Sequence, residues 1–512
     1  MPEGATQLEG LHSVIASLSR RSLFQLSAAA WASSSLLPST LAIAGTNSVK
    51  KSVLVLGAGM AGLTAALALL RRGHTVTVIE YQNRVGGRLI SLPLKSGQFS
   101  ELGGGHFRSN MPYTLNYIRA FGLPVLSVND GLPRYMFDGK TGMAADPASW
   151  PWDLTGEERS VSVSASLNRY LFRLGLDTDT VLDARWPDPA MLAKLDNVTL
   201  ENLIRTVGAS DAFCKLLGAH GGLFTGGSQA LSIIPDLAYH FGDQSVFRIA
   251  GGNERLPQVV AAAIGPERIV LNAPVRAIDQ SGSQVLVTVA DGRVFKGDAV
   301  VSTIPFTMMP DIAVKPGWSL GKKRMFREME WDKTVKVVVQ TRTPSWLAHN
   351  VHGWPMAGGD RPWERLIDIT GNEQGGHGNA FFYLNGSNAD AVLALKPEER
   401  AAHVIAQFRT DMPDIIDEVI TSTAFAWSEQ PWIKGSFGST PIGGGWMIKE
   451  WTTPEGHIHF AGDFTTLKTG WVEGAIESGL RAARQIDPLS MPEGSLWIRQ
   501  EIDHQALMPV PG

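Results

Sequence analysis

The sequence predicts an α/β fold, on three observations: a strand, a glycine turn and a helix in immediate succession, a second strand that ends on an acid, and an alternating hairpin far along the chain. The predicted architecture is a discontinuous Rossmann-like domain with a mixed-sheet domain and a helical cap. A chain of 512 residues, 44% hydrophobic and 18% charged, supports two intimately connected domains with a large interior. That balance matches neither a disordered, a collagenous nor a multispanning membrane protein. Lys and Arg number 45 against 49 Asp and Glu, a net of -4, so no global positive field exists to hold nucleic acid or an anionic bilayer. Charged-ligand recognition must therefore be local. The single cysteine, Cys214, excludes an intrachain disulfide, a cysteine-rich zinc site and an iron–sulfur cluster. Its apolar neighbours read as those of a buried, inert thiol.

The first element is an address. Ser19-Arg20-Arg21-Ser22-Leu23-Phe24 precedes a weakly apolar stretch, residues 26–43, that ends in Ala42-Ile43-Ala44, a small-x-small cleavage pattern. Residues 1–44 read as a twin-arginine export signal, which places the mature protein in the periplasm or outside the cell. Ser33, Ser34, Ser35 and Pro38 make the stretch too short and polar to span a bilayer stably. Such export carries proteins already folded, commonly around a cofactor.

The next element is a phosphate site. Ser52-Val53-Leu54-Val55-Leu56 is a short apolar strand, followed by Gly57-Ala58-Gly59-Met60-Ala61-Gly62 and a helical, Ala/Leu-rich run over 63–70. Gly57 permits a tight turn, Gly59 lets backbone approach a pyrophosphate, and Gly62 lets the helix lie close to the strand. The second strand, Thr75-Val76-Thr77-Val78-Ile79, ends at Glu80, where a carboxylate can accept from ribose hydroxyls. Together these features predict dinucleotide binding.

Arg84-Val85-Gly86-Gly87-Arg88 and Glu101-Leu102-Gly103-Gly104-Gly105 follow, a run of bare backbone suited to a large flat ring. Here the sequence resembles the flavin amine oxidase superfamily, most closely its bacterial L-amino-acid oxidases, and the resemblance implies FAD. It continues through Gly251-Gly252-Asn253-Glu254-Arg255-Leu256-Pro257 and Ala273-Pro274-Val275-Arg276-Ala277-Ile278. Residues 284–301, with an Asp291-Gly292 turn, read as the hairpin that returns to this domain. The most specific match is Ile458-His459-Phe460-Ala461-Gly462-Asp463 with Gly470-Trp471-Val472-Glu473-Gly474-Ala475. The FAD domain is then expected over 50–110, 245–310 and 455–488, the helical cap over 111–244 (residues 192–207, for example), and the substrate domain over 311–454. The proline-bearing tail has no assigned role.

By this resemblance Gly57, Gly59, Met60, Ala61, Gly62, Glu80, Arg88, Gly104, Gly105, Val275, Asp463 and Val472 bind the cofactor, with Arg88 against pyrophosphate and flavin. Asp463 stands where most relatives carry Glu and reaches about one methylene less far toward a ribityl hydroxyl. The implied reaction is oxidation of a C–N bond: hydride leaves the carbon bearing a neutral amine, water hydrolyses the imine, and oxygen accepts the electrons as peroxide. Lys336, ten residues before Trp346, occupies the place of a lysine that holds a water near flavin N5; Lys333 is the exposed alternative. Trp471 forms one side of an aromatic cage. For the other, Trp427 and Phe437 fit the family spacing, with Trp446 a competitor; Phe437 is the choice. The Gly470-Trp471 pair resembles L-amino-acid oxidases, in which the glycine carbonyl accepts from the substrate ammonium. An amino acid also needs a cation for its carboxylate. Arg108 is that candidate, in a register shifted by two positions, so that His106 competes for the aligned place; His220, Tyr239 and Tyr383 are possible lining residues.

The expected function is oxidative deamination of L-amino acids to 2-oxo acids, ammonia and hydrogen peroxide. The rivals are an oxidase of amines lacking a carboxylate, a non-catalytic flavin-binding module and, most distantly, an NAD dehydrogenase. Expected partners are an amino acid and molecular oxygen, without nucleic acid or metal, in a homodimer.

Overall fold

The computed structural model describes residues 49–490 apart from 129–133, 184–185, 222–227, 239–244, 350–360, 371–375, 414 and 417. Residues 1–48, on which the expected export signal falls, Tyr239 and the tail beyond 490 lie outside the described residues. No helix among the described residues is long and apolar enough to cross a membrane.

Ser52–Leu56 is the central strand of a five-stranded parallel sheet in the order Ile269–Val270, Thr75–Ile79, Ser52–Leu56, Ala299–Ser302, Ile458–Phe460. Its side chains alternate between two cores. Val53 and Val55 face the side that holds the helices Met60–Arg71 and Val472–Ile486, and Leu54 and Leu56 face the side that holds Val285, Val287 and Phe306. A parallel strand covered on both faces must be apolar throughout, which is why this run reads as unbroken Val and Leu. The hairpin Val285–Val289 and Val294–Gly297 turns at Gly292, with φ +87°, before the chain enters Ala299–Ser302.

The first and last helices of this layer meet backbone to backbone. A Cβ on Gly479 would overlap the Ala61 carbonyl oxygen and lie 3.1 Å from the Thr64 Cβ. Gly479→Ala is therefore expected to cost about 1–3 kcal/mol, as overpacking of a tight interior does. A melting temperature equal to the parent's would show that the two helices part freely.

The second sheet has the order Leu366–Asp368, Gly378–Leu384, Val335–Thr341, Val419–Ala426. The sequence suggests a mixed sheet, yet each of these pairings is antiparallel. Gly378–Leu384 and Val419–Ala426 flank Val335–Thr341 in the same direction, and the helices Gly386–Leu393 and Pro397–Asp411 carry the chain from one to the other.

The 111–244 segment is less helical than its composition suggests. Pro112–Ala120 packs into the core of the parallel-sheet layer, its first turn held by Glu473, whose carboxylate accepts from Tyr113 N at 2.9 Å and Thr114 N at 2.8 Å. Arg134–Phe137 and Lys140–Met143 form a hairpin whose turn residues Asp138 and Gly139 have φ of 51° and 67°. The helix expected over 192–207 is two helices, Pro189–Leu195 and Leu200–Arg205, because the Thr199 side chain accepts from Asn202 N and starts a new one. These helices, with Val163–Arg173, Asp211–Gly221 and Ala230–Ala238, bury a separate core. Cys214 lies in it, its thiol pushed up to about 11 by burial, as befits an inert residue.

Candidate active site

A cavity of about 920 Å³ is lined at once by the glycine turn, by the end of the second strand, by the second sheet and by the cap. Gly57, Gly59, Met60, Ala61, Glu80, Arg88, Gly104, Gly105, Val275, Asp463, Val472, Arg108, Gly470, Trp471, Phe437 and Lys336 all line it. Gly62 does not. It lies beneath the turn, where a Cβ would overlap the Gly57 carbonyl oxygen, so its part is packing.

Glu80 ends its strand with both carboxylate oxygens engaged: Ala58 N donates to one at 2.6 Å and Gln82 N to the other at 2.8 Å. Burial raises its pKa, partly opposed by these backbone donors. Two glycines meet across the turn, since a Cβ on Gly87 would lie 3.3 Å from Gly59 Cα. The Gly251–Pro257 segment braces this floor: Asn253 Nδ2 donates to the Gly104 carbonyl at 2.9 Å, and Asn253 N donates to Glu101 at 2.8 Å.

Arg88 donates through both terminal nitrogens to Asp463, and also to the Ser436 carbonyl at 2.9 Å. Asp463 accepts in turn from Gly470 N at 2.7 Å. The shorter acid is thus the joint between the Arg88 loop and the loop that precedes the closing helix. Gly470 itself adopts φ +79°, a conformation that favours glycine.

Lys336, set among Val335, Val337, Val338 and Val339 of its strand, lines the cavity, 4% exposed, with Nζ donating to the Gly103 carbonyl at 2.5 Å and to the Glu101 carbonyl at 3.2 Å. The Phe381 ring lies 4.4 Å beneath it. Burial pushes its pKa down to about 7, assisted by Arg365 and opposed by Glu101. The same burial pushes Glu101 up to about 7. Lys333 is exposed and pairs with Asp390 at 2.8 Å, which removes it as the alternative.

Trp471 caps the closing helix Val472–Ile486 and meets His106 edge-on, ring centroids 5.5 Å apart. Phe437 lies beside Gly470, its Cβ 3.8 Å from where a Gly470 Cβ would stand. Trp427 also lines the cavity and donates through Nε1 to the Leu102 carbonyl at 2.9 Å. Trp446 lies elsewhere, under the Arg324 guanidinium at 4.1 Å and against the core behind the sheet. An amphipathic ring at a helix start can find its partners on either side, and here they are a guanidinium and an apolar core.

Arg108 is 7% exposed, on the short strand Phe107–Arg108 paired with Val246–Ile249. His106 lines the same cavity, and burial together with Arg108 and Lys336 holds its pKa well below the usual imidazole value. His220 also lines it, held at about 4 chiefly by burial, and accepts or donates at 3.0 Å to Tyr135. Tyr383 lies under the Arg365 guanidinium at 4.6 Å. Sequence reasoning missed Arg365, Asp236 and Asp332, all lining residues. Burial pushes both aspartates up to about 6. Asp236 left a faint signal, an acid within the apolar run Ile233-Ile234-Pro235-Asp236-Leu237.

Residues 60–487 match the family model of flavin-containing amine oxidoreductases. The chain belongs to that family. FAD is its usual cofactor, and the lining fits: bare glycine backbone at the turn and along 103–105, and an acid at the strand end where a ribose is expected. This amine oxidoreductase is 25% identical over 466 residues to the putative L-amino-acid oxidase YobN of Bacillus subtilis, covering 86% of this chain and 95% of that one. It is 27% identical over 475 residues to the flavin-dependent L-tryptophan oxidase RebO of Lentzea aerocolonigenes, covering 85% and 98%. Its fold matches a putrescine oxidase double mutant with TM-score 0.72 at 23% identity, covering 86% and 99%, and the cyclohexylamine oxidase of Brevibacterium oxydans with TM-score 0.70 at 22%, covering 86% and 99%. At such identities these structures speak for the fold alone.

Proposed function

We propose that this amine oxidoreductase oxidatively deaminates L-amino acids to 2-oxo acids, ammonia and hydrogen peroxide, with oxygen as electron acceptor. The observation that carries the reading is Arg108, a buried guanidinium lining the same cavity as Trp471, Phe437 and Lys336. A guanidinium binds a carboxylate through two parallel hydrogen bonds. Burial first, then Arg108 and Lys336, hold His106, its competitor, well below the usual imidazole range, so Arg108 is the stronger anchor for an anion. The names of the relatives support the same class.

FAD, when bound, supplies the two-electron acceptor; in this reading the glycine turn, Glu80, Arg88, Asp463 and Val472 hold it. Trp471 and Phe437 flank the amine, the Gly470 carbonyl accepts from it, and Lys336 holds a water by its Nζ. The cap lines the same cavity as the glycine turn and the second sheet. The proposed destination is the periplasm or the exterior, by the twin-arginine route through Arg20 and Arg21. Export that persists after both are changed to lysine would overturn it.

Asp236 favours a second reading, oxidation of amines without a carboxylate, since an acid in the pocket can receive a cationic substrate. Turnover of L-phenylalanine against phenethylamine separates the two. Amino-acid turnover at least tenfold faster is expected; equal or faster turnover of the amine would overturn the first reading. Bleaching of the yellow band on anaerobic addition of L-phenylalanine separates catalysis from mere flavin binding.

A further inference from the structure

We infer that Asp236 is a positioning residue of the substrate pocket: from the cap it holds the indole of Trp471, so that the aromatic wall at the flavin end is set by how the cap helix docks. Ala230–Ala238 presents one stripe to the cavity. Gln229, Ser232, Ile233, Asp236 and Leu237 all line it, at the three- and four-residue spacing of a single helix face. Three of these positions latch the helix to the opposite wall, Gln229 among them by accepting from Thr440 Oγ1. Trp471 Nε1 donates to Asp236 Oδ1 at 2.6 Å, and Thr440 N donates to Ser232 Oγ at 3.2 Å. Thr440 stands two residues beyond Gly438 on the chain segment that carries Phe437. Both sides of the aromatic cage are therefore tied to one cap helix.

The choice of an acid is informative. An amide oxygen would accept the indole N–H as well, but a carboxylate brings a charge, and Arg108 and Arg365 lie close enough to offset it. Asp236 so touches the amine-side wall by a hydrogen bond and faces the carboxylate-side guanidinium by charge. Trp471 in turn stands edge-on to His106, so its tilt is fixed from two sides, one of them the cap.

The test uses full-length holoenzyme carrying Asp236→Ala, Asp236→Asn, Trp471→Phe and the Asp236→Ala/Trp471→Phe pair. Loss of a hydrogen bond to a charged acceptor corresponds to about a tenfold effect or more. Asp236→Ala is expected to raise KM for L-phenylalanine by about that factor with a smaller fall in kcat. Its holoenzyme should also bind the unreactive 3-phenylpropanoate more weakly, read from the flavin absorption band. Asp236→Asn, which keeps an acceptor, should recover most of the affinity. Trp471→Phe keeps a ring and removes the donor, so adding Asp236→Ala to it should change KM little further. Additive effects, an Asn variant as weak as the Ala variant, or parental KM in both would overturn the inference. Equal loss of bound FAD in both Asp236 variants would also overturn it, since it would make the residue a structural one. The inference rests on the proposed pocket but not on the substrate's acid group. If amines are the substrate, the same pattern should appear with phenethylamine, so the two ideas fail separately.

Discussion

Arg108→Leu is expected to raise KM for L-phenylalanine by about 10- to 100-fold while leaving phenethylamine within a few-fold of the parent. A hydrogen bond to a charged group is worth about 1.5–3 kcal/mol, and each 1.4 kcal/mol is a factor of ten. The amine analogue lacks the carboxylate, so it has no such bond to lose. A second readout follows from the charges around the site. Arg108 lowers the pKa of His106, of His220 and of Asp236, so its removal should shift all three upward. The Asp236 carboxyl, which burial pushes up to about 6 against the pull of Arg108, should titrate closer to neutrality in the variant. A uniform loss for both compounds would assign Arg108 to a structural ion pair and leave the amine reading standing.

What the sequence disclosed and what it hid divide along physical lines. The turn at Gly57 was legible because backbone there adopts φ +106° and no side chain can enter beside Thr303, so glycine is obligatory at a fixed offset from an apolar strand. Asp463 and Trp471 are read through the family resemblance, which is specific there because both stand with Gly470 and a helix start in one short stretch. Asp138-Gly139 is an equally local hairpin signal, inside a segment whose pattern reads as helical. Asp236 and Arg365 were hidden for a different reason. Their roles depend on partners far along the chain, as Trp471 is 235 residues from Asp236, and charge compensation across a cap leaves no periodicity in the sequence. The same holds for the aromatic cage. Spacing offers Trp427 and Phe437 and a glycine loop adds Trp446, which packs under Arg324 and against a core away from the pocket.

Lys336→Met is expected to slow reaction with oxygen by about 10²-fold, with amino-acid oxidation under anaerobic conditions much closer to the parent. The magnitude is that of removing one preorganised donor from a buried position. Methionine keeps the unbranched stem among Phe381, Tyr383 and the Gly103–Gly105 backbone and removes only Nζ. Folding should not suffer, because an ammonium there is costly: burial has driven its pKa from 10.5 to about 7. The sign can be checked independently. Between pH 7 and 10.5 the unfolded chain holds this proton and the folded chain does not, so Lys336 makes stability rise with pH across that window and fall as pH drops toward 7. The Met variant should lose that slope and be relatively more stable at the acid end. Two measurements thus bear on one nitrogen, a stopped-flow trace of the reduced enzyme mixed with oxygen and a denaturation midpoint against pH. Parental oxygen kinetics with the slope abolished would leave Lys336 buried as described but without a part in the chemistry, a brace for the carbonyls of Glu101 and Gly103.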